Sequence, residues 1–415
     1  MSSCKTCGGR MPGFTFGKLA EQCSNCRARA ASDSGVSGPA PSSPQSLAGN
    51  KWPPVTSALI GINVAVFVAM LASGVSPIRP TVAQLESWGA NWGPLSLGPQ
   101  PWRILTANYV HIGAVHILLN LWCLWNLGAL SELLFDRATY LLLYSFTGMA
   151  GILASLWWDP LTVGAGASAA IFGMAGALIA VIYLGRLPIP KAAMQGTLRS
   201  LLAFAGYNLF FGAVIGRRIG NSAHLGGLVA GLSLGAVLAK QITASPEVRE
   251  RWQRAVFVGA GVALLAAFAL VKRENGYVVP LMRGLEASQQ GNLDEAVHYL
   301  DEVVAARPDD LDALSLLGSV YYKKQDCSRA EETLEHVLRL DPEDTAAQYY
   351  LGMTELKSGK ADQAIPHLQK AVELGPVHAD LELALGQAYE AQGKQAEADA
   401  AFKEADRLRS AKKPH

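Results

Sequence analysis

Residues 111–130 read HIGAVHILLNLWCLWNLGAL. From Val115 the run is close to uniformly apolar, and the window 115–133 matches the length of about 20 residues with which an α-helix crosses a bilayer. Three side chains break its character: His111 and His116 at the mouth and Asn120 one turn further in. Polar groups at such positions are costly to set against lipid, so they face a bundle interior or a wet cavity and mark function by default. The stretch is read as a membrane helix that carries chemistry, and its companions must lie elsewhere in the chain.

Working outward, similar apolar windows fall at 55–73, 139–158, 167–184, 200–216, 223–239 and 255–271, which with 115–133 makes seven expected crossings. The 415 residues are half apolar and 17% charged, an average that conceals a polar head, a membrane block and a soluble tail. A net charge of +1 carries no basic excess of the kind nucleic acid attracts. The first 50 residues are polar and hold no apolar core, so no signal peptide is expected. A transporter is disfavoured, because the pattern lacks paired broken helices and charges at the midplane.

In the head, Cys4, Cys7, Cys23 and Cys26 are spaced C-x2-C-x15-C-x2-C. Two short knuckles at that spacing can present four thiolates to one tetrahedral Zn²⁺, and a piece so small needs such a staple to fold. Residues 1–30 resemble the zinc ribbons found at the ends of many bacterial proteins, and structural zinc is expected there. Residues 31–50, ASDSGVSGPAPSSPQSLAGN, form a Ser/Pro/Gly tether. In the tail, Gly284, Gly318, Gly352 and Gly386 recur every 34 residues, as do Ala296, Ala330, Ala364 and Ala398, and Pro308, Pro342 and Pro376. That period over about 280–411 resembles tetratricopeptide repeats, three full and a fourth without its closing proline. Stacked helix pairs of this kind make an α-solenoid with a groove for a peptide or protein ligand.

The membrane block supplies the companions. GAGASAAIFG sets Ser168 behind Gly164 and Gly166 at the start of the fourth crossing, NSAHLGGLVAG sets His224 at the start of the sixth, and Glu132 closes the second. A serine is a weak nucleophile until a base takes its proton, and histidine does that near neutral pH. Small residues at Ala169, Gly173, Gly176 and Ala180 on one helix and at Gly227, Gly231 and Gly235 on the other would let the two backbones approach and the side chains meet. No carboxylate partner for His224 is evident, so a dyad is expected. His116 and Asn120, four apart, share a helix face and can aim donors at one spot, as acyl transfer needs for its oxyanion. His111 lies off that face and is read as ordering the start of the helix.

These residues resemble the rhomboid intramembrane serine proteases. The family's Trp-Arg, His-x4-His-x3-Asn, Gly-x-Ser-Gly and Ala-His-x2-Gly-x3-Gly are matched in order by Trp102-Arg103, by His111, His116 and Asn120, by Gly166-Ala167-Ser168-Ala169, and by Ala223-His224 with Gly227 and Gly231. The match covers about 51–240. The resemblance implies that Ser168 is the nucleophile, His224 its base, and His116, Asn120 and the Ser168 backbone N–H the oxyanion hole, with no cofactor for catalysis. Two departures stand out: the family's second glycine is Ala169, and Phe172 replaces the tyrosine often found stacked on the catalytic imidazole. Residues 74–103, with Trp88, Trp92 and Trp102, resemble the family's membrane-embedded first loop.

With the amino terminus in the cytoplasm, inside loops hold Arg137, then Arg186, Lys191 and Arg199, then Lys240, Arg249, Arg251 and Arg254, against Arg79, Arg103, Arg217 and Arg218 outside. The expected protein is thus all-α, a polytopic membrane helix bundle in a bacterial inner membrane. A rhomboid-like six-helix core at 51–240 is followed by a loop and seventh helix at 241–275 and by repeats at 280–411 on the outer side, the side of the dyad. The expected function is endoproteolysis of transmembrane protein substrates, with the repeats recruiting substrate or partner; the alternative is a catalytically inactive rhomboid-like factor that binds membrane proteins for quality control. Tyr207 and Asn208 in the fifth crossing belong to a substrate gate or pair with each other.

Overall fold

The computed structural model describes residues 53–411 except 186, 188–190, 215–220, 241–242 and 376–377. The four cysteines of the head, its tether and Pro376 lie outside the described residues. Within them every regular element is a helix, with one isolated bridge between Asn91 and Gly164, and two compact units divide after Asn275.

In the first unit, α1 (Pro54–Ala72) is followed by three short helices, α2 (Val82–Ser87), α3 (Gly93–Ser96) and α4 (Arg103–Thr106), and then by α5 (Ala114–Leu134), α6 (Arg137–Trp158), α7 (Ser168–Leu184), α8 (Lys191–Val214), α9 (Asn221–Ala239) and α10 (Pro246–Asn275). Six of these, α1, α5, α6, α8, α9 and α10, are long and apolar enough to cross a membrane, while α7 is apolar but only 17 residues long. The chain is an integral membrane protein. Outward side chains such as Leu118, Trp122, Val258 and Leu265 stay apolar though exposed, as contact with lipid requires.

The seventh crossing is longer than its apolar window at 255–271: α10 runs 30 residues, because charged turns at both ends continue the helix past the apolar run. It lies along α6 in the same direction and is tied to it at both ends. Gln253 Nε2 donates to Asp136 Oδ2 (2.9 Å) at the start of α6, and Asn275 Nδ2 donates to the carbonyls of Leu156 (2.9 Å) and Trp157 (3.0 Å) at its close. Helix ends leave carbonyls without intrahelical partners, and Asn275 satisfies two of them. The chain therefore leaves this unit beside the end of α6, the end from which residues 159–167 lead into Ser168.

α7 is the buried centre, with Ala170, Ala175, Ala177, Leu178 and Val181 all fully enclosed. α9 meets it through glycine. A Cβ added at Gly227 would collide with the carbonyl oxygen of Ala169, one at Gly231 with that of Gly173, and one at Gly235 would lie 2.6 Å from the Ala177 backbone. No side chain fits in that seam, so the two backbones are in direct contact, as the small-residue stripes require.

In the second unit, α11 (Val278–Gln290), α12 (Leu293–Ala306), α13 (Leu311–Lys323), α14 (Cys327–Leu340), α15 (Thr345–Lys357), α16 (Ala361–Leu374), α17 (Ala379–Ala391) and α18 (Gln395–Ala411) form four helix pairs. One contact repeats in each. A Cβ at Gly284, Gly318 or Gly352 would press on Leu300, Leu334 or Leu368, and one at Gly386 on Phe402, always sixteen residues ahead. The recurrent alanines Ala296, Ala330, Ala364 and Ala398 are fully buried. Pro308 and Pro342 stand two residues beyond the ends of α12 and α14, where a residue without an N–H cannot continue a helix.

Candidate active site

Ser168 is the first residue of α7 and His224 lies in the first turn of α9, so the glycine seam that locks these helices also sets their spacing. His224 Nε2 lies 2.8 Å from Ser168 Oγ. Phe172, one turn beyond Ser168, stacks face to face on the imidazole, ring centroids 4.4 Å apart and planes 4° from parallel. Phe204 of α8 backs it at 5.3 Å. His224 Nδ1 is buried with no hydrogen-bond partner among the described residues, so the ring is oriented by stacking and not by a carboxylate. Seventeen helical residues rise about 26 Å, less than the roughly 30 Å of hydrocarbon, so a helix that reaches the opposite face starts inside the apolar layer.

The loop before Ser168 is drawn under α5. Gly166 has φ +127°, a conformation open to glycine, and its N–H donates to the Ala107 carbonyl (2.8 Å). A Cβ there would lie 2.5 Å from His116 Cε1, 2.9 Å from Nε2 and 3.6 Å from Asn120 Nδ2, so the bare glycine lets both side chains of α5 settle over the backbone two residues from Ser168. His116 Nδ1 accepts from the Ile112 N–H at 3.4 Å. A neutral ring that accepts at Nδ1 carries its proton on Nε2, the nitrogen beside Gly166. Asn120 spends one amide hydrogen on the His116 carbonyl (3.1 Å) and keeps a second. His111, fully buried, sits 3.2 Å from the Tyr109 carbonyl through Nδ1 and packs its ring 5.4 Å from that of His116. Burial, then the His116 ring, hold its pKa well below the ordinary value against the pull of the Tyr109 carbonyl, so it stays neutral and acts as a prop.

The Ala169 methyl is accommodated by a glycine on the neighbouring helix: a Cβ at Gly151 of α6 would lie 2.7 Å from it. Arg103 is buried, its Nη1 donating to the carbonyls of Glu86 (2.7 Å) and Ala90 (2.8 Å), and its guanidinium lies 5.0 Å over the exposed Trp102 ring. It folds the loop that, through the Asn91–Gly164 bridge, holds the strand-like approach to Gly166. Glu132 is not part of this constellation. At the far end of α5 it accepts from the Thr56 N–H (2.7 Å) and hydroxyl (2.8 Å), which fastens the start of α1. Asn208 Nδ2 donates to the Phe204 carbonyl (2.8 Å), and the residue lines the cavity over Ser168 and His224.

A cavity of about 960 Å³ opens over the pair, lined by Ser168, His224, His116, Asn120 and Phe172, with Trp158 and Asp159 towards its rim. Asn221, which opens the NSAHLGGLVAG stretch, is a member that sequence reasoning passed over. Its Nδ2 donates to the Leu209 carbonyl (3.1 Å) and its amide fills the space left by Gly212, joining the end of α8 to the start of α9 three residues from His224. The glycine at 212 was the available signal.

Residues 98–241 match the Rhomboid domain family, and 287–352 and 351–412 match tetratricopeptide repeat families. The chain carries a rhomboid domain followed by tetratricopeptide repeats. Its relatives include Rhomboid protease GluP of Bacillus subtilis, 28% identical over 65% of this chain and 51% of GluP. RHOMBOID-like protein 7 of Arabidopsis thaliana is 30% identical over 39% of this chain and 50% of that protein. Rhomboid protease AarA of Providencia stuartii is 28% identical over 43% and 69%. The chain spans about half the length of the first two. Among solved structures, MamA MSR-1 shares 26% identity over 33% of this chain and 79% of that one, with a TM-score of 0.30. The Rhomboid match thus spans α5, which bears His116 and Asn120, and α7 and α9, which bear Ser168 and His224.

Proposed function

We propose that the rhomboid domain is an intramembrane serine endopeptidase working through Ser168 and His224. The observation that carries this reading is the 2.8 Å approach of His224 Nε2 to Ser168 Oγ within the large cavity. Ser168 Oγ attacks the scissile carbonyl as its proton passes to His224 Nε2. The oxyanion forms beside the His116 Nε2–H, the free amide hydrogen of Asn120 and the Ser168 N–H, each donor lowering the barrier by about 3 kcal/mol. Collapse breaks the C–N bond, His224 returns the proton to the leaving amine, and water, deprotonated by the same imidazole, releases the acyl group and restores Ser168. No cofactor enters this sequence.

The substrates are transmembrane proteins cut near the top of a span, where a locally unwound segment exposes its carbonyls; Gly or Pro there favours cleavage. The repeats present a peptide- or protein-binding groove on the outer side, while the four amino-terminal cysteines hold structural zinc in the cytoplasm of a bacterial cell. The test is coexpression with a tagged single-span protein carrying Gly-Pro near its outer end. Cleavage that needs Ser168 and falls when Gly-Pro becomes Leu-Leu supports the proposal. A fragment that persists with Ser168→Ala contradicts it.

A further inference from the structure

At the end of the bundle remote from the dyad, a second cavity of about 250 Å³ lies where α5 and α9 finish and α6 and α10 begin. Its inner wall is apolar, built by Leu133, Leu134 and Leu238, the last residues of membrane spans. Its outer wall bears Arg249 and Asp136. Arg249 is half-buried and makes no hydrogen bond or ion pair through its guanidinium among the described residues, whereas the neighbouring Arg254 pairs with Glu250. A half-buried guanidinium without an anion is costly, and its fork of N–H groups matches a phosphate. Asp136 is exposed and accepts from the Thr139 N–H (3.0 Å), the Thr139 hydroxyl (2.7 Å) and Gln253 Nε2 (2.9 Å). Those bonds outweigh the effect of its partial burial and hold its carboxyl below the ordinary value, so it is an anion at neutral pH. The carboxylate is nonetheless exposed and lines the cavity, so its charge stays accessible from there. The cavity therefore displays a cation and an anion that do not neutralise each other, at headgroup depth, beside the Trp252 indole, which is pinned by its N–H to the Val237 carbonyl (3.2 Å).

We propose that this cavity binds the phosphoethanolamine headgroup of a membrane phospholipid, its phosphate on Arg249 and its ammonium on Asp136. The occupant is lipid and not a soluble phosphoethanolamine because the inner wall is the rim of the hydrocarbon layer, where acyl chains continue. A uniformly anionic headgroup would set charge against Asp136, and a choline headgroup has no N–H to donate. Because the walls come from four helices, the bound lipid fastens the seventh crossing to the core.

The test uses the full chain in detergent, depleted of lipid and offered equal amounts of phosphatidylethanolamine, phosphatidylglycerol and phosphatidylcholine, with retained lipid read by native mass spectrometry. The wild type should keep phosphatidylethanolamine about tenfold over either competitor, and Arg249→Gln should lose about tenfold of that retention. Asp136→Asn, which keeps the helix cap, should keep binding phosphate but lose the preference over phosphatidylcholine. Equal retention of the three lipids by the wild type, or undiminished preference in Arg249→Gln, would overturn the assignment. So would binding of soluble phosphoethanolamine at micromolar concentration with no lipid retained.

Discussion

Ser168 and His224 stand 2.8 Å apart because glycines on α9 remove every side chain from the seam between their helices, and Phe172 then fixes the imidazole plane from one face. With no hydrogen-bond partner for Nδ1 among the described residues, that stacking is the main restraint on ring orientation. Phe172→Ala should lower kcat about tenfold with KM nearly unchanged, since the ring must be held only for proton transfer, and Phe172→Tyr should restore the rate; a change confined to KM would show that Phe172 acts on substrate instead. The serine, histidine and α5 pair were legible in the sequence because polar groups are conspicuous in apolar runs. Asn221 was not, because its partners, the Leu209 carbonyl and the space at Gly212, meet it only after α8 and α9 have packed. For the same reason sequence could flag Ala169 as a departure but could not show that Gly151, on another helix, leaves room for its methyl.

Among the elements, α7 and α9 meet backbone to backbone, and glycines within and outside their seam should respond oppositely. Gly231→Val would drive a side chain into the Gly173 carbonyl and should abolish activity together with folded yield, whereas Gly259→Ala on α10, where nothing lies within 4 Å of the added methyl, should leave both unchanged. Thermal melts and cleavage rates of the two variants distinguish this from a general intolerance of glycine replacement. Helix ends were less legible than helix existence, as α10 shows by extending well beyond its apolar window on charged turns.

In the repeats, Glu355 on α15 is buried with Oε2 unpartnered among the described residues, and its Oε1 is 3.7 Å from His367 Nε2. Burial, then the Glu331 carboxylate, push its pKa from the ordinary 4.5 up to about 7, against the pull of Lys360. The folded value lies above the unfolded one, so this group's contribution to stability is complete below about 4.5 and is lost as pH rises through about 7, on the order of 3 kcal/mol at most. Hydrogen exchange in α15 and α16 should therefore quicken, after correction for intrinsic rates, between pH 5 and pH 8. Glu355→Gln should remove that dependence, and a variant that keeps it would contradict the assignment.

Across the whole molecule, the division into membrane unit and repeats was readable from composition and from a 34-residue period, because each part imposes its own regularity on the chain. What the sequence concealed was how the seventh crossing is held: Gln253 and Asn275, unremarkable polar residues, bind both ends of α6 and bring the chain out at the close of that helix. Activation of Ser168 by His224 is open to a direct test. Labelling of the detergent-solubilised full chain with a fluorophosphonate probe tests it without knowledge of the substrate. Covalent labelling of the wild type should disappear in both Ser168→Ala and His224→Ala while their melting behaviour is preserved; a well-folded wild type that takes up no probe, or labelling that survives in Ser168→Ala, would contradict activation of Ser168 by His224.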